Sequence, residues 1–212
     1  MINWDRIQVF CHSSIKLMGS KIIYIDPFRI PESFQDADII FLTHSHEDHL
    51  SPSDIRKVAK RETTFVLPKK EVDILYSLSI PKEKVIGVEP KGEYKIGEIM
   101  IKTIPAYNQT KKFHSKENGW VGYEITMDHT IYYIAGDTDK IEEMKQIHCD
   151  IAFLPIGGTY TMDLQEAASC ARCMDAKAIV PTHYGSIVGS ATDGKKFEKL
   201  VQKQVKLLIK EE

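Results

Sequence analysis

The sequence predicts a mixed α/β fold, on the basis of three observations. Short apolar runs of strand length recur along the whole chain. Strand patterns dominate the first half, whereas helical and strand patterns alternate in the second half. Polar residues that can bind metal follow several of the apolar runs directly. Periodicity by itself supports layers of α and β structure around one core.

The first half begins with strand patterns that resemble an antiparallel meander, because turn residues such as Gly19 and Ser20 separate the runs. A helix start follows later, where Ser51 precedes Pro52. In this half we expect strands at 7–10, 15–18, 21–25, 38–42, 63–67, 84–88, 93–96 and 98–104, and helices at 52–60 and 69–78.

The second half opens with a long polar segment, residues 105–119, which has no clear periodicity. Loops of that length in a compact domain are usually functional. Asp163 and Glu166 have the spacing of a capping box at a helix N-terminus. In this half we expect strands at 120–126, 130–135, 150–154, 177–180 and 205–209, and helices at about 140–147, 163–174 and from 193.

The composition indicates a globular protein and does not imply a polyanionic partner. A chain of 212 residues with 42% hydrophobic content can bury one sizeable core, and we expect one domain over residues 1–212. The formal net charge of -2 provides no global basic field to attract nucleic acid. No window approaches the roughly 18 apolar residues of a membrane span, and no secretion signal is evident. We expect a soluble, cytoplasmic protein, whose sequence is compatible with a homo-oligomer.

The cysteines argue against a disulfide framework. Cys11, Cys149, Cys170 and Cys173 are too few and too scattered for one, which agrees with a reducing compartment. Cys170 and Cys173 have C-x-x-C spacing, but they lie inside a helical pattern and no second pair accompanies them. We therefore interpret the pair as helix packing rather than as a redox or zinc motif.

The densest group of metal-binding residue types directly follows the apolar run 38–42. In an extended segment, residues two positions apart point the same way, so His44 and His46 can converge on one metal ion. Asp48 and His49 emerge after a turn and can face a second ion. Zinc favours imidazole and carboxylate ligands, and iron or manganese accept the same set. The alternative, a solvated histidine-rich loop, has little folding rationale.

The pattern His-x-His-x-Asp-His after a strand resembles the signature of the metallo-β-lactamase superfamily. The chain is most similar to a branch that includes ascorbate-6-phosphate lactonase and N-acyl-phosphatidylethanolamine phospholipase D. The resemblance implies an α/β (α+β) fold, a four-layer αβ/βα sandwich of two packed sheets. It also implies a hydrolase with two divalent metal ions, for which zinc is the first expectation and manganese or iron are the alternatives.

Two later strand ends resemble further elements of the superfamily. Residues 136–138 are similar to the Gly-Asp-Thr element whose aspartate bridges both metals, which implies that role for Asp137. A helix cap is the alternative, although Asp139 suits capping better. Residues 182–185 are similar to the element that supplies the last histidine to the second metal, which implies that His183 is a ligand.

At the position of the third ligand to the first metal, this sequence departs from the pattern of the branch. In that branch a histidine follows the strand that ends near Pro105. This chain has Asn108 in that region, and its next histidine is His114. We favour His114, because imidazole binds a divalent ion far better than a neutral amide does. Asn108 as the ligand, or a site completed by water, are the alternatives.

Three further segments have weaker signals. His12 and Asp26 lie in segments that resemble the Gly-His-Ser and Asp-Pro elements of the same branch. Asp26 is a candidate to hold a metal-binding histidine in place, and equally a turn aspartate before a proline. Residues 157–162 form either a polar rim whose amides suit an oxyanion or phosphate, or a plain loop before a capped helix.

The predicted chemistry is metal-assisted hydrolysis, in which an activated water attacks a carbonyl or phosphoryl group. Asp48 and His183 are the predicted catalytic residues: Asp48 binds and orients, and His183, Tyr160 or His12 donates a proton to the leaving group. Ester, lactone and phosphodiester substrates suit the same ligand set, and we favour a small phosphorylated or acyl substrate. The alternative is a metal-binding sensor or assembly module that keeps the site without turnover.

Overall fold

The computed structural model describes residues 2–209, which form two β-sheets that pack face to face, with helices on their outer faces. The strands are Ile7–Val9 (β1), Ile15–Met18 (β2), Ile22–Ile25 (β3), Ala37–Phe41 (β4), Ala59–Pro68 (β5), Val85–Val88 (β6), Glu93–Ile96 (β7), Ile99–Pro105 (β8), Val121–Met127 (β9), Thr130–Ile134 (β10), His148–Pro155 (β11), Asp175–Thr182 (β12) and Gln204–Val205 (β13). The helices are Pro52–Val58 (α1), Val72–Ser77 (α2), Leu164–Cys173 (α3) and Asp193–Leu200 (α4).

The first sheet has the strand order β1-β2-β3-β4-β5-β6, and the second has the order β13-β12-β11-β10-β9-β8-β7. Strands β1 to β3 form the predicted antiparallel meander, and β3 to β6 run parallel. In the second sheet β10 to β13 run parallel, and β7 to β10 run antiparallel. The four-layer sandwich and the mixed α/β class are therefore confirmed.

Side chains of both sheets are buried on both faces, which explains the nearly continuous apolar runs of the central strands. In β3, Ile23 and Ile25 pack between the two sheets, whereas Tyr24 packs on the outer face with α1 and α2. In β10, Tyr132 lies between the sheets and Tyr133 packs outward with α3 and α4. Each sheet thus contributes one face to the central core and one face to a helical layer.

Six strands end at the same edge of this sandwich. Because β1 and β3 both run antiparallel to β2, and β4 runs parallel to β3, these three strands point the same way. The same reasoning applies to β8, β10 and β12 of the second sheet. The segments that follow these strands carry all the predicted metal ligands together with His12 and Asp26. Ligand sites in α/β sheets occur at the carboxyl ends of strands.

Several predicted boundaries shift, since residues 59–60 belong to β5 and residues 69–71 form a 3₁₀ turn before α2, and two predicted elements differ more strongly from the structure. The helix predicted over 140–147 is wrong as an α-helix, because residues Glu142–Gln146 form a 3₁₀ helix. Its buried residues Ile141, Met144 and Ile147 recur every third position, which matches the three residues per turn of that helix. The strand predicted over 205–209 is shortened to β13. In the part of the chain that the structure describes, no helix combines the length and apolar character needed to cross a membrane.

Candidate metal centre

The strand-end segments bring three sets of potential metal-binding side chains together at this edge. The ligand atoms within each set all lie within 4.8 Å of one another. The first histidine group comprises His44, His46 and His114. The second His–Asp group comprises His12, Asp48, His49 and His183, and the remaining set joins Asp137 to His44 and His49. All seven predicted metal ligands therefore meet in space, and His12 joins them.

The segment after β4 separates its four side chains as the strand geometry predicts. Nε2 of His44 lies 3.0 Å from Nδ1 of His46, so these two rings share one side. The chain then turns, because the amides of His49 and Leu50 both donate to the carbonyl of His46. After that turn, Nε2 of His49 lies 3.6 Å from a carboxylate oxygen of Asp48.

Asp137 lies between the two groups. Its Oδ2 is 3.3 Å from Nε2 of His114 and 2.9 Å from Nε2 of His183, and its Oδ1 is 3.3 Å from Nε2 of His49. The preceding Gly136 has a φ of 67° and lies close to Thr43, where a Cβ atom would be 3.2 Å from the threonine side chain. This tight turn directs the carboxylate into the site rather than toward a helix N-terminus.

His183 follows β12 in a strained backbone conformation. Its φ is 57°, which is unusual for a residue with a Cβ atom, and such outliers concentrate at functional sites. Its amide donates to the carbonyl of His12 over 2.9 Å, which ties the two sheets together. Gly157 packs directly against it, because a Cβ atom there would lie 2.4 Å from the carbonyl oxygen of His183. The side chain of His183 has no exposed surface.

Asn108 is occupied by protein partners. Its Nδ2 donates to Oδ1 of Asp139 and to the carbonyl of Tyr160, at 3.0 and 2.9 Å. Its Oδ1 lies 3.0 Å from Nδ1 of His114 and accepts the amide of His114 at 3.1 Å. Nε2 of His114, by contrast, is buried, lacks a hydrogen-bond partner and faces Asp137. The geometry therefore favours His114 as the ligand, with Asn108 holding its ring.

Two residues of this centre had no role in the sequence reasoning. Nε1 of Trp120 donates to Oε1 of Glu71 over 2.6 Å, and Oγ of Ser45 donates to the same oxygen over 2.5 Å. The indole ring lies 4.8 Å from the ring centroids of both His44 and His46. Glu71 therefore positions the Trp120 indole, which packs against the rings of His44 and His46. It also positions Ser45, which lies between these two histidines in the sequence. A signal existed for Trp120, which directly follows the long polar segment, but none for Glu71.

The buried polar atoms of the site fit a metal centre. Among the described residues, seven atoms of the two groups and Asp137 are buried without a hydrogen-bond partner. Six are ring nitrogens and one is a carboxylate oxygen: Nδ1 and Nε2 of His12, Nε2 of His49, Nε2 of His114, Nδ1 and Nε2 of His183, and Oδ1 of Asp137. Unpaired buried polar atoms are costly unless an ion or water satisfies them. Bound divalent cations would pair most of them, which is the arrangement expected of the predicted ligands.

The electrostatics of the metal-free site agree in part. Burial would lower the pKa of His49 and His183, but the Asp137 carboxylate raises the pKa of both above its usual value. Burial would raise the pKa of Asp137, but the imidazoles of His183 and His49 hold it well below its usual range. Burial lowers the pKa of His44 well below its usual value, and lowers that of His12 to about 4. The carboxylate is thus ionised and these two rings are neutral at pH 7, the protonation states in which such side chains bind metal.

The loop at 157–162 does not offer the free amides that one interpretation predicts. The amide of Gly158 donates to the carbonyl of Met162, and that of Thr159 to the carbonyl of Gly157, both over 3.0 Å. The amide of Met162 donates to the carbonyl of Thr138. The plain-loop interpretation therefore describes these three amides better. Asp163 and Glu166 do form the predicted capping box of α3.

A cavity of about 440 Å³ opens beside the two groups, and His46, Asp48, His114 and Asp137 form part of its lining. A larger depression of about 720 Å³ lies elsewhere and is lined by lysines and glutamates of β7 to β9 and the 3₁₀ helix at 142–146. None of the candidate ligands lines that depression. The smaller cavity is within the roughly 300–1,000 Å³ range of small-molecule sites and is the one adjacent to reactive groups.

Known proteins share this sequence and fold over nearly their whole lengths. A family model described as a beta-lactamase superfamily domain matches residues 6–183. A metal-dependent hydrolase of Pyrococcus furiosus is 30% identical over 217 residues, covering 96% of this chain and 95% of its own. One from Methanoregula boonei is 31% identical over 209 residues, covering 93% of this chain and 90% of its own.

Solved structures agree with this assignment. A crystal structure from Parabacteroides distasonis has a TM-score of 0.79 and 29% identity, covering 96% of this chain and 93% of the other. Igni18, a metallo hydrolase from Ignicoccus hospitalis, has a TM-score of 0.79 at 24% identity, covering 97% of this chain and 95% of its own, and so supports the fold. This chain therefore belongs to the metallo-β-lactamase superfamily, among its metal-dependent hydrolases.

Proposed function

We propose that this metal-dependent hydrolase binds two divalent cations and cleaves a small ester, lactone or phosphodiester. The observation that carries the proposal is the position of Asp137, whose carboxylate lies within 3.3 Å of His114 in the first histidine group and of His49 and His183 in the second His–Asp group. A carboxylate in contact with both groups suits two ions that share one ligand, the arrangement of two-metal hydrolytic sites.

The residues present divide naturally between two ions. His44, His46 and His114 would hold the first ion, and Asp48, His49 and His183 the second, with Asp137 between them. When bound, such ions supply Lewis acidity that lowers the pKa of water and polarises a carbonyl or phosphoryl oxygen. Nitrogen and oxygen ligands of this kind suit zinc first, and manganese or iron as well.

Two side chains that line the cavity can act on the substrate itself. The side chain of Asp48 is 20% exposed, so it can both bind an ion and orient a water molecule in the cavity. Tyr160 also lines the cavity and can donate to a leaving group. His12 and His183 have no exposed side-chain surface, so we assign His183 to metal binding rather than to proton donation.

The proposal is tested with metal-free and zinc- or manganese-loaded protein. We expect elemental analysis to find two ions per chain, and loaded protein to release p-nitrophenol from p-nitrophenyl acetate or bis-p-nitrophenyl phosphate above the metal-free rate. Asp137→Asn should lose most of this rate together with bound metal. Asp150→Asn, which changes a partly buried carboxylate outside the site that pairs with Lys177 and accepts the amide of Ile131, should keep both. Two bound ions without turnover of any substrate would instead support a metal-binding sensor.

A second comparison tests the assignment of Tyr160. A proton donor matters most when the leaving group is a poor one, because p-nitrophenolate departs without protonation. Tyr160→Phe should therefore slow the hydrolysis of an alkyl ester much more than that of the matching p-nitrophenyl ester. Equal slowing of both esters would remove Tyr160 from the role of proton donor.

A further inference from the structure

We propose that the substrate carries an uncharged alkyl or aryl acyl group next to the bond that is cleaved, and that the cavity beside the metal centre binds this group. The inference rests on the proposed hydrolytic function and narrows it to acyl esters. In such a reaction the bond between the acyl carbon and the leaving oxygen breaks, the acyl carbon takes the hydroxyl of water, and the leaving oxygen takes the remaining proton.

Apolar side chains form one part of the cavity lining, which we call the wall, and candidate ligands form another part. Phe28, Phe113, Tyr160 and Ile187 line this wall. Phe113 is 48% exposed and Ile187 is 45% exposed, although both are large hydrophobic residues. In the described part of the chain, Met100 is the third exposed residue of this kind, and it lies outside the cavity. Exposed apolar surface concentrated at one site marks a binding surface.

The wall is built by packing rather than by chance exposure. The rings of Phe113 and Tyr160 lie edge to face, with centroids 4.6 Å apart and an interplanar angle of 87°. Phe113 directly precedes His114, and Ile187 follows His183 by four residues, so both come from segments that also supply candidate ligands. An apolar group held against this wall would therefore lie beside the reacting atoms.

The charges of the cavity argue against a second anionic group on the substrate. Its charged lining residues are the carboxylates Glu47, Asp48 and Asp137, and neither lysine nor arginine is among the described residues that line it. Two cations on segments that also supply lining residues have other partners. Lys111 pairs with Asp139 at 2.5 Å and with Glu166 at 3.4 Å.

Arg29 is the second of these two cations. Its guanidinium donates to Oγ of Ser186 over 2.8 Å, and it lines a neighbouring depression together with His12 rather than the cavity itself. Apart from the proposed metal ions, a substrate phosphate that does not react would thus have no cationic side chain to contact within the cavity, and it would face Glu47, the lining carboxylate that is not a proposed ligand. Of the two classes favoured from the sequence, phosphorylated and acyl substrates, the cavity suits the acyl class.

The test uses two matched series of compounds with zinc-loaded protein. The first is p-nitrophenyl acetate, butyrate and hexanoate, for which kcat/KM is measured. The second is acetohydroxamate, butanohydroxamate and hexanohydroxamate, for which calorimetry gives Kd without turnover. We expect kcat/KM to rise, and Kd to fall, by about two- to fourfold for each added methylene group that the cavity buries.

Three variants assign the effect to the wall. Phe113→Ser and Ile187→Ser should each reduce the dependence on chain length in both series. Met100→Ser removes a similarly exposed hydrophobic residue outside the cavity and should keep the dependence unchanged. Metal content is measured for each variant, so that a damaged metal centre is distinguished from a damaged wall.

The outcomes separate this inference from the proposed function. Hydroxamate affinities that do not change with chain length, or the absence of hydroxamate binding, overturn the inference. The inference is also overturned if an alkyl phosphate monoester outcompetes hexanohydroxamate. Hydroxamate affinity that rises with chain length, without hydrolysis of any ester, supports the apolar site while overturning the proposed function.

Discussion

Nδ1 of His49 lies 2.7 Å from Oδ2 of Asp26, and neither side chain has exposed surface. The same carboxylate accepts the amide and the hydroxyl of Thr43, at 2.8 and 2.7 Å. These contacts hold the imidazole so that its other nitrogen faces Asp48 and Asp137. A carboxylate behind a metal-binding histidine fixes its tautomer and orientation. Of the two roles considered for Asp26, the contacts match the one that supports a ligand.

This relationship predicts the effect of Asp26→Asn on metal binding. The amide cannot accept as the carboxylate does, so His49 loses its anionic partner, and we expect the affinity for the second ion to fall roughly 10- to 100-fold. Titration of metal-free protein with the metal ion, followed by calorimetry, measures this affinity. Asp38→Asn is the control, because Asp38 binds Lys60 and the amide of Ile22 instead. An unchanged affinity in Asp26→Asn would contradict this role.

The choice between His114 and Asn108 predicts two different losses. His114→Ala should release the first ion, because it removes a ligand outright. Asn108→Ala should lower the affinity for that ion by a smaller factor, since the imidazole of His114 remains but loses the oxygen 3.0 Å from its Nδ1. Metal stoichiometry after dialysis distinguishes the two. The reverse order, with the ion retained in His114→Ala and lost in Asn108→Ala, would make Asn108 the ligand.

Metal removal should lower thermal stability. Without ions, several ring nitrogens and a carboxylate oxygen are buried without hydrogen-bond partners at the described site. Ions that bind only the folded chain stabilise it, by about 2.7 kcal/mol at a free concentration 100 times Kd. Calorimetric scans of chelated and zinc-reconstituted protein should therefore show a higher Tm in the reconstituted sample. Equal Tm values would argue against a metal centre built from these residues.

The contacts of Asp54, which is not one of the candidate metal ligands, predict a pH dependence of folding stability. Its carboxylate accepts the amides of Arg29 and Ile30 and pairs with Lys57. Burial would raise its pKa, but Lys57, the hydroxyl of Ser51 and the two amides lower the pKa below its usual value. A group with a lowered pKa in the folded state stabilises the fold above its unfolded pKa, and loses that contribution as pH falls through the folded pKa.

Asp54→Asn should therefore lower the free energy of unfolding of metal-free protein by about 1–3 kcal/mol at pH 7. The difference from the parent protein should shrink below about pH 4, because the carboxyl of the unfolded chain is then protonated while that of the folded chain, with its lowered pKa, is still ionised. Urea unfolding at several pH values provides the measurement. A difference that stays constant down to pH 3 would show that the charge of Asp54 contributes nothing.

The cysteines should differ in reactivity. Burial raises the pKa of the Cys149 and Cys170 thiols, each to about 12, whereas Cys173 is exposed. Since the thiolate is the reactive form, iodoacetamide at pH 8 should label Cys173 in the native protein and reach Cys149 and Cys170 after unfolding in urea. Mass spectrometry locates the label. Rapid native labelling of Cys170 would contradict the packing seen in α3.

Much of the fold could be predicted because its signals are local. Strand alternation and turn residues placed most strands to within a few positions, and the spacing of Asp163 and Glu166 predicted the N-terminal cap of α3. The predicted helix at 140–147 failed because period-three burial in a short segment is hard to distinguish from an α-helical pattern. The loop at 157–162 was ambiguous because amide partners are set by neighbouring segments.

The sequence by itself determined which strand ends carry metal-binding side chains. It also determined that His44 and His46 are separated from Asp48 and His49, because backbone geometry alone constrains residues a few positions apart. Only the tertiary structure decided that His114 faces Asp137 while Asn108 is bound elsewhere, and that Glu71 bonds Trp120 from 49 positions away. Contacts over such distances depend on how two sheets pack and on which edge their strands end, and no local spacing encodes that arrangement.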